Sequence, residues 1–268
     1  MTPVNDFTDG AWNFITTHVN LVLSDLGTHL VLSAESVAIA IVLGVPLGVW
    51  LGHIHRFSFL AINISNLGRA LPSLAILAIL LPYTGVGQLD VVIALVILAF
   101  PPILTNSYVA VEQVDADTVD AARGNGLTPL QVLTKVELPL ALPLIFAGIR
   151  TSAVFVVATA TLAGIFGGGG LGDIINNRES YGLNGIIAAS YILIVLAFLV
   201  QIAFLGLEWL VTPPGLRVSR VKRSRRRGGA PGWPSPADLP DEHADRDRGE
   251  EGAASEDALA ATRPRPGL

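Results

Sequence analysis

Few side chains in this chain have the type and placement for chemistry, and most of those lie in an apolar setting. Glu35, Arg69 and Arg150 each interrupt a long apolar stretch. A charge near the centre of a membrane helix costs roughly 2.5 kcal/mol or more, so each is a candidate for lining a polar path or facing a partner subunit. The structural alternative is that Glu35 pairs with an arginine, or that the arginines reach a headgroup layer. Asn106, with Asn63, Asn66 and Thr105, either borders the same path or hydrogen-bonds neighbouring helices. Pro72 and the Pro101–Pro102 pair interrupt apolar stretches; they kink helices where a gate forms, or only shape packing. Nothing points to covalent or metal catalysis. The chain has no Cys, and His29, His53 and His55 have no carboxylate at ligand spacing, so they are read as interfacial residues. The run Gly167-Gly168-Gly169-Gly170-Leu171-Gly172-Asp173 is glycine-rich but lacks Lys. No Gly-x-x-x-x-Gly-Lys-Ser/Thr occurs elsewhere, so ATP hydrolysis, a catalytic residue, a metal and a bound cofactor are not expected of this chain.

The elements that carry these residues are membrane helices. Of 268 residues, 51% are hydrophobic and 15% charged, with a mean hydropathy of +0.57, whereas a soluble domain carries about a quarter charged residues. Five apolar stretches, at about 29–52, 57–82, 90–110, 138–166 and 185–211, are long enough to cross a hydrocarbon core. Residues 1–28 carry no basic n-region and are read as an external segment, with 11–26 an amphipathic helix at the surface or an extension of the first span. Charge is segregated. Residues 1–215 hold six Lys/Arg and 13 Asp/Glu, and 216–268 hold 11 and nine. Arg56, Arg123, Lys135 and the seven basic residues from Arg217 to Arg227 fall on one side. That bias puts the C-terminus inside and the N-terminus outside. The segment 212–268 is read as a basic stretch on lipid headgroups followed by a disordered cytoplasmic tail.

The connection between the third and fourth spans, at about 111–138, is too long and too charged for a simple turn. Asp117 is expected to cap a first short helix, with Asp120 in its first turn. Gly124 and Gly126 end it. Thr128, Pro129 and Gln131 form a capping box and N-terminal turn of a second helix, and Pro139 marks re-entry into the membrane. The result is a helix–Gly–helix hairpin of fixed shape, whose Ala121 and Ala122 leave a smooth knob for a partner's groove.

The spacing of this loop resembles a known family. Asp120-Ala121-Ala122, three residues, Gly126, nine residues, then Val136-Glu137-Leu138-Pro139 is similar to the Glu-Ala-Ala loop of type I ABC importer permeases, with Asp for Glu and Val for Ile. Leu71-Pro72-Ser73-Leu74-Ala75, Phe100 to Tyr108, Lys135 to Pro143, Ala147 to Thr151 and Gly169 to Asp173 resemble the osmoprotectant permeases of that group, over about residues 30–211. The resemblance implies an all-α, five-helix transmembrane domain at 29–211, in a multi-pass protein of the cytoplasmic membrane. It implies a permease subunit, paired with itself or a paralogue, that takes glycine betaine, choline or carnitine from a solute-binding protein. A separate ATPase subunit, which holds the ATP and Mg, energises it. Asp120, Ala121, Ala122, Gly126 and Leu127 are then the ATPase-docking knob, and Val136, Leu138 and Pro139 lead into the fourth span. Nucleic acid is not an expected partner. Alternatives are an ABC permease for an amino acid, sulfonate or phosphonate, and an ion-coupled secondary transporter, which would need more mid-membrane carboxylates than Glu35.

Overall fold

Every fourth residue from Ser36 to Gly52 is small: Ser36, Ala40, Gly44, Gly48 and Gly52. In a helix these five share one face, and without side-chain bulk another backbone can approach closely. The computed structural model has this seam buried in α2 (Val19–His53). The helix that follows it in the packing, α4 (Gln88–Glu112), lies directly on the seam. A Cβ on Gly48 would sit 2.6 Å from the Leu104 carbonyl oxygen, and one on Gly52 2.7 Å from that of Tyr108. These two helices form the most intimate pair in the fold.

The structure describes residues 4–55, 63 and 72–212. Arg56, Asn66, Arg69, most of the expected second span and the whole of 213–268 lie outside the described residues. Before α2 stands α1 (Val4–Thr17), ended by a non-helical His18 with φ −115° and ψ 33°. The expected surface helix over 11–26 is therefore divided. Its first part belongs to α1, and residues 19–26 are the first turns of α2, which runs unbroken across the expected boundary at 28/29. His18 stacks on Phe14, and its Nδ1 lies 3.2 Å from the Phe14 carbonyl oxygen, which holds the joint in place.

Pro72 sits in extended backbone at the start of α3 (Ser73–Thr84), so it begins this helix and does not kink it. Gly87 then starts α4, in which Pro101 and Pro102 are interior. Side chains hydrogen-bond backbone carbonyls around that pair: Ser152 Oγ donates to the Ala99 carbonyl at 3.1 Å and Asn106 Nδ2 to the Pro102 carbonyl at 2.8 Å. Local side-chain donors of this kind stabilise proline-interrupted helices where no water is available.

The hairpin elements α5 (Ala116–Gly124) and α6 (Pro129–Val132) follow. A π-helical turn, Leu133–Glu137, leads straight into α7 (Leu138–Thr159), and a 3-10 turn, Ala160–Phe166, closes it. A glycine-rich turn returns the chain through α8 (Leu171–Asn176) to α9 (Arg178–Val211), whose Gly182 (φ 64°, ψ −173°) breaks the helix before the expected span at 185–211. Gly164 and Gly172 meet back to back, where a Cβ on Gly172 would lie 2.1 Å from the Thr161 carbonyl oxygen.

Four of the described helical segments are long and apolar enough to cross a membrane: Val19–His53, Gln88–Glu112, Pro129–Phe166 and Arg178–Val211. The short apolar Ser73–Thr84 belongs to the expected second span. The main core joins α2, α4 and α7, with Leu95, Leu98, Ile103, Ala153 and Val156 buried at its centre. The outer face of α9 is apolar and exposed at Ile194, Phe198, Leu199 and Ile202, as suits a helix bathed in lipid.

Candidate functional site

The projecting hairpin has its shape fixed by local chemistry. Asp115, not Asp117, caps α5: its carboxylate accepts from the Thr118 backbone N–H at 3.0 Å and from the Thr118 hydroxyl at 2.8 Å. Both aspartates suit the position, but only Asp115 stands three residues before a threonine that donates twice. Asp117 occupies the first turn, where a negative charge favours the helix N-terminus. At the other end Leu127 N–H donates to the Ala122 carbonyl at 3.3 Å and Gly126 N–H to that of Arg123 at 2.9 Å. That pattern is a Schellman motif, and Gly126 takes the left-handed conformation it requires, with φ +83°. Thr128 and Gln131 then form a complete capping box, and Pro129 fills the first turn of α6. Both sequence expectations for this second cap hold.

Val119 of α5 and Val132 of α6 are buried, and the two arms touch. Asp120, Ala121 and Gly126 are exposed at the tip, and Ala122 and Leu127 are half-buried beneath it. Asp120 and Arg123 approach to 3.6 Å on the surface. The expected re-entry at Pro139 takes a different form. In an uninterrupted α-helix, Pro139 would crowd the carbonyl one turn back and leave it unpaired. The π turn widens the helix just before it, with Leu138 N–H donating to the Leu133 carbonyl. The second arm is thus continuous with α7, and Val136, Leu138 and Pro139 are half-buried along it. Neither the π turn nor its buried Glu137 is anticipated by the sequence reading.

The other candidate residues are dispersed. Glu35 is exposed on α2, and among the described residues nothing pairs with it. Arg150 instead pairs with Glu208 of α9 at 2.9 Å, with about a fifth and a quarter of the two side chains exposed. Asn106 bonds its own helix and lies against Gly148, where a Cβ would meet the Asn106 Cβ at 2.4 Å. Arg69 lies outside the described residues. The histidines also separate. His29 is 1% exposed, with its Nε2–H donating to the Val157 carbonyl at 2.9 Å, so it is an interior tie between α2 and α7 and not an interfacial residue. His53 Nδ1–H donates to Glu137 Oε2 at 2.6 Å. His55 is exposed, with Nδ1 against the His53 carbonyl oxygen. Among the described residues no group of three His, Cys, Asp or Glu side chains is placed to hold a metal.

Long apolar helices with a rigid, well-capped hairpin between two of them define a polytopic membrane protein. Residues 44–212 match the family described as binding-protein-dependent transport system inner membrane component, and the chain belongs to that family. It is a multi-pass inner membrane protein. The carnitine transport permease protein OpuCB of Listeria monocytogenes is 37% identical over 79% of this chain and 98% of its own length. The glycine betaine/carnitine/choline transport system permease protein OpuCB of Bacillus subtilis is 37% identical over 76% and 94%. The osmoprotectant import permease protein OsmW of Salmonella typhimurium is 33% identical over 70% and 91%. In solved structures the fold is similar to a chain of the inward-facing MetNI methionine ABC transporter, with a TM-score of 0.64 and 25% identity over 72% of this chain and 97% of that one.

Proposed function

We propose that the chain is the membrane-spanning subunit of an ATP-driven importer for quaternary ammonium osmoprotectants of the glycine betaine, carnitine and choline type. The observation that carries this reading is the rigid hairpin Asp115–Glu137 on a chain whose relatives, matched over most of their length, are named for those solutes. ATP and Mg are bound by a separate ATPase subunit, and a binding protein delivers the solute on the opposite side. The tip, formed by Asp120, Ala121, Ala122, Gly126 and Leu127, docks in that ATPase. Because its second arm is continuous with α7 through Val136, Leu138 and Pro139, a push on the tip moves a transmembrane helix. A loose loop would absorb the same push.

The remaining assignments follow from this topology. The second span, of which α3 is the described end, makes five crossings, with the N-terminus outside and the hairpin in the cytoplasm. Glu35, exposed in mid-helix and without a partner among the described residues, faces the pathway or a second permease subunit, since lipid would not tolerate it. Arg150 is neutralised by Glu208 and fits a structural role better than a pathway role.

Accumulation of radiolabelled glycine betaine, carnitine and choline is measured in cells whose other osmoprotectant importers are deleted. The chain is expressed there with a cognate ATPase and solute-binding protein. ATP-dependent accumulation of at least one of the three is expected. Failure of all three, with every subunit present in the membrane fraction, overturns the substrate assignment.

A further inference from the structure

Glu137 has no exposed surface, yet it is an acid in the arm of a projecting hairpin. Its Oε2 accepts from His53 at 2.6 Å, and no partner reaches Oε1 among the described residues. Burying a carboxylate with half its lone pairs unmet is costly, so a surface-seeking acid would not adopt this position without compensation. The compensation comes from 84 residues away, from the last residue of α2. His53 directly follows Gly52, the end of the small seam that clamps α2 on α4, and α4 runs into the other root of the hairpin through Glu112 and Gln113. Both roots of the hairpin are therefore held by one body. The first is held by backbone continuity with α4, and the second by the His53–Glu137 hydrogen bond at the π turn. Without that bond, the second root would keep only its continuity with α7 and the apolar packing of Leu133 and Leu138 on the core, neither of which fixes a direction as a hydrogen bond does. A π turn is a natural point for such a helix to flex.

We propose that His53 and Glu137 form a transmission joint. They are positioning residues that make α2 and α4 move with the hairpin when the ATPase displaces it, so that ATP hydrolysis is converted into solute movement. The proposal rests on the importer reading above, and it assigns a role to two residues outside the docking tip. The bond does not create the docking surface, because Asp120, Ala121 and Gly126 lie at the far end of the hairpin. Breaking it leaves the ATPase bound and turning over while the helices follow incompletely.

The test uses the complete transporter in proteoliposomes, with binding protein inside the vesicles wherever the ATPase faces outward, loaded with glycine betaine or, where cells accumulate only carnitine or choline, with that solute in its place. Three quantities are measured on each preparation: ATPase retained on purification, ATP hydrolysed, and glycine betaine moved. For His53→Ala and Glu137→Ala, retained ATPase and hydrolysis should stay close to wild type. Glycine betaine moved per ATP should fall about tenfold, the scale of one lost charge-assisted hydrogen bond. The double variant should fall no further than either single one. His53→Asn carries an N–H close to where Nδ1–H sits and should restore the ratio, whereas His53→Gln, one methylene longer, should not. If the alanine variants fail to reach the membrane, the Asn and Gln pair carries the test, and equal ratios for the two refute the joint. An unchanged ratio in His53→Ala, additive losses in the double variant, or loss of ATPase in step with transport also refutes it. A wild-type complex that moves none of glycine betaine, carnitine and choline defeats the importer reading instead, so the two failures are distinct.

Discussion

Gly126→Ala isolates one requirement of the docking hairpin, the left-handed residue that closes α5. Gly126 has φ +83°, and a Cβ built on it meets nothing within 4 Å. The substitution therefore introduces no clash with neighbouring atoms and no lost hydrogen bond. Its cost is the backbone penalty of an L-residue in the left-handed region, about 1–2 kcal/mol. Gly124 is two residues away, also with open space around it, but it lies within the helix and has no positive φ. Replacing it with Ala removes a flexible residue from a helix and should stabilise α5 by up to about 1 kcal/mol. The two variants share chemistry, neighbourhood and exposure, and differ in backbone sign. If the ATPase binds only the closed hairpin, the apparent affinity falls with the population of that form, so Gly126→Ala should weaken association measurably, by up to about 5–30-fold when the open form competes. Gly124→Ala should match or slightly exceed wild type. Association is read by titrating the purified ATPase onto the permease in nanodiscs, with the amount of inserted permease measured by immunoblot. Wild-type affinity for Gly126→Ala, or a larger loss for Gly124→Ala, refutes the claim that the Schellman turn presents the knob. Gly126→Asp adds a charge to the same strain and should abolish association and uptake without affecting insertion.

Arg150→Leu leaves Glu208 without its partner between α7 and α9 and should lower the melting temperature in detergent; the double variant with Glu208→Leu should recover most of that loss, since an apolar pair needs no neutralisation. Gly48→Leu should separate α2 from α4 and lower the melting temperature, because its Cβ alone would stand 2.6 Å from the Leu104 carbonyl oxygen, whereas Gly27→Ala, inside α2 with nothing within 4 Å, should hold or slightly raise it. Burial raises the Asp173 carboxyl above the usual carboxylate range, so the folded protein holds that proton more tightly than the unfolded chain. The group then opposes folding at neutral pH, and the penalty is relieved as pH falls through the raised value toward about 3.9. Asp173→Asn should raise the melting temperature at pH 7, where it also relieves repulsion with Asp25, and the gain should shrink as the pH approaches 4.

What was legible in the sequence was local. The capping box at Thr128–Gln131 and the left-handed Gly126 depend on residues three or four apart, and the structure has both. The N-cap expectation falls on Asp117 and the cap is Asp115, because two aspartates stand two residues apart and the choice turns on the Thr118 hydroxyl, a side chain the capping rule does not weigh. Long-range pairs left no comparable trace. Arg150 and Glu208 are 58 residues apart, and His29 and Val157 128 apart. No period in the sequence announces that either pair will meet. The small seam from Ser36 to Gly52 is an intermediate case: its four-residue spacing was present in the sequence, though only the structure shows α4 lying on it. The same distinction explains why His29 and His53 look alike as residues flanking an apolar stretch and end with different roles. One ties helix to helix through a backbone carbonyl, and the other holds the acid at the root of the hairpin.

That division has a mechanical consequence. The features set by local sequence are those of the hairpin tip, which must keep one shape while it is pushed. Those set by distant pairing lie at its root and along the helices, where motion has to be passed on. A tip specified by adjacent residues survives relative movement of the spans, because none of its hydrogen bonds crosses between them. A root held by His53 and Glu137 does the opposite, and adds to the packing between two spans a polar contact of 2.6 Å at the base of the hairpin. Substitutions at the tip should therefore act on ATPase affinity, and substitutions at the root on the solute moved per ATP. A variant at position 53 that changed affinity and left the ratio intact would contradict this separation.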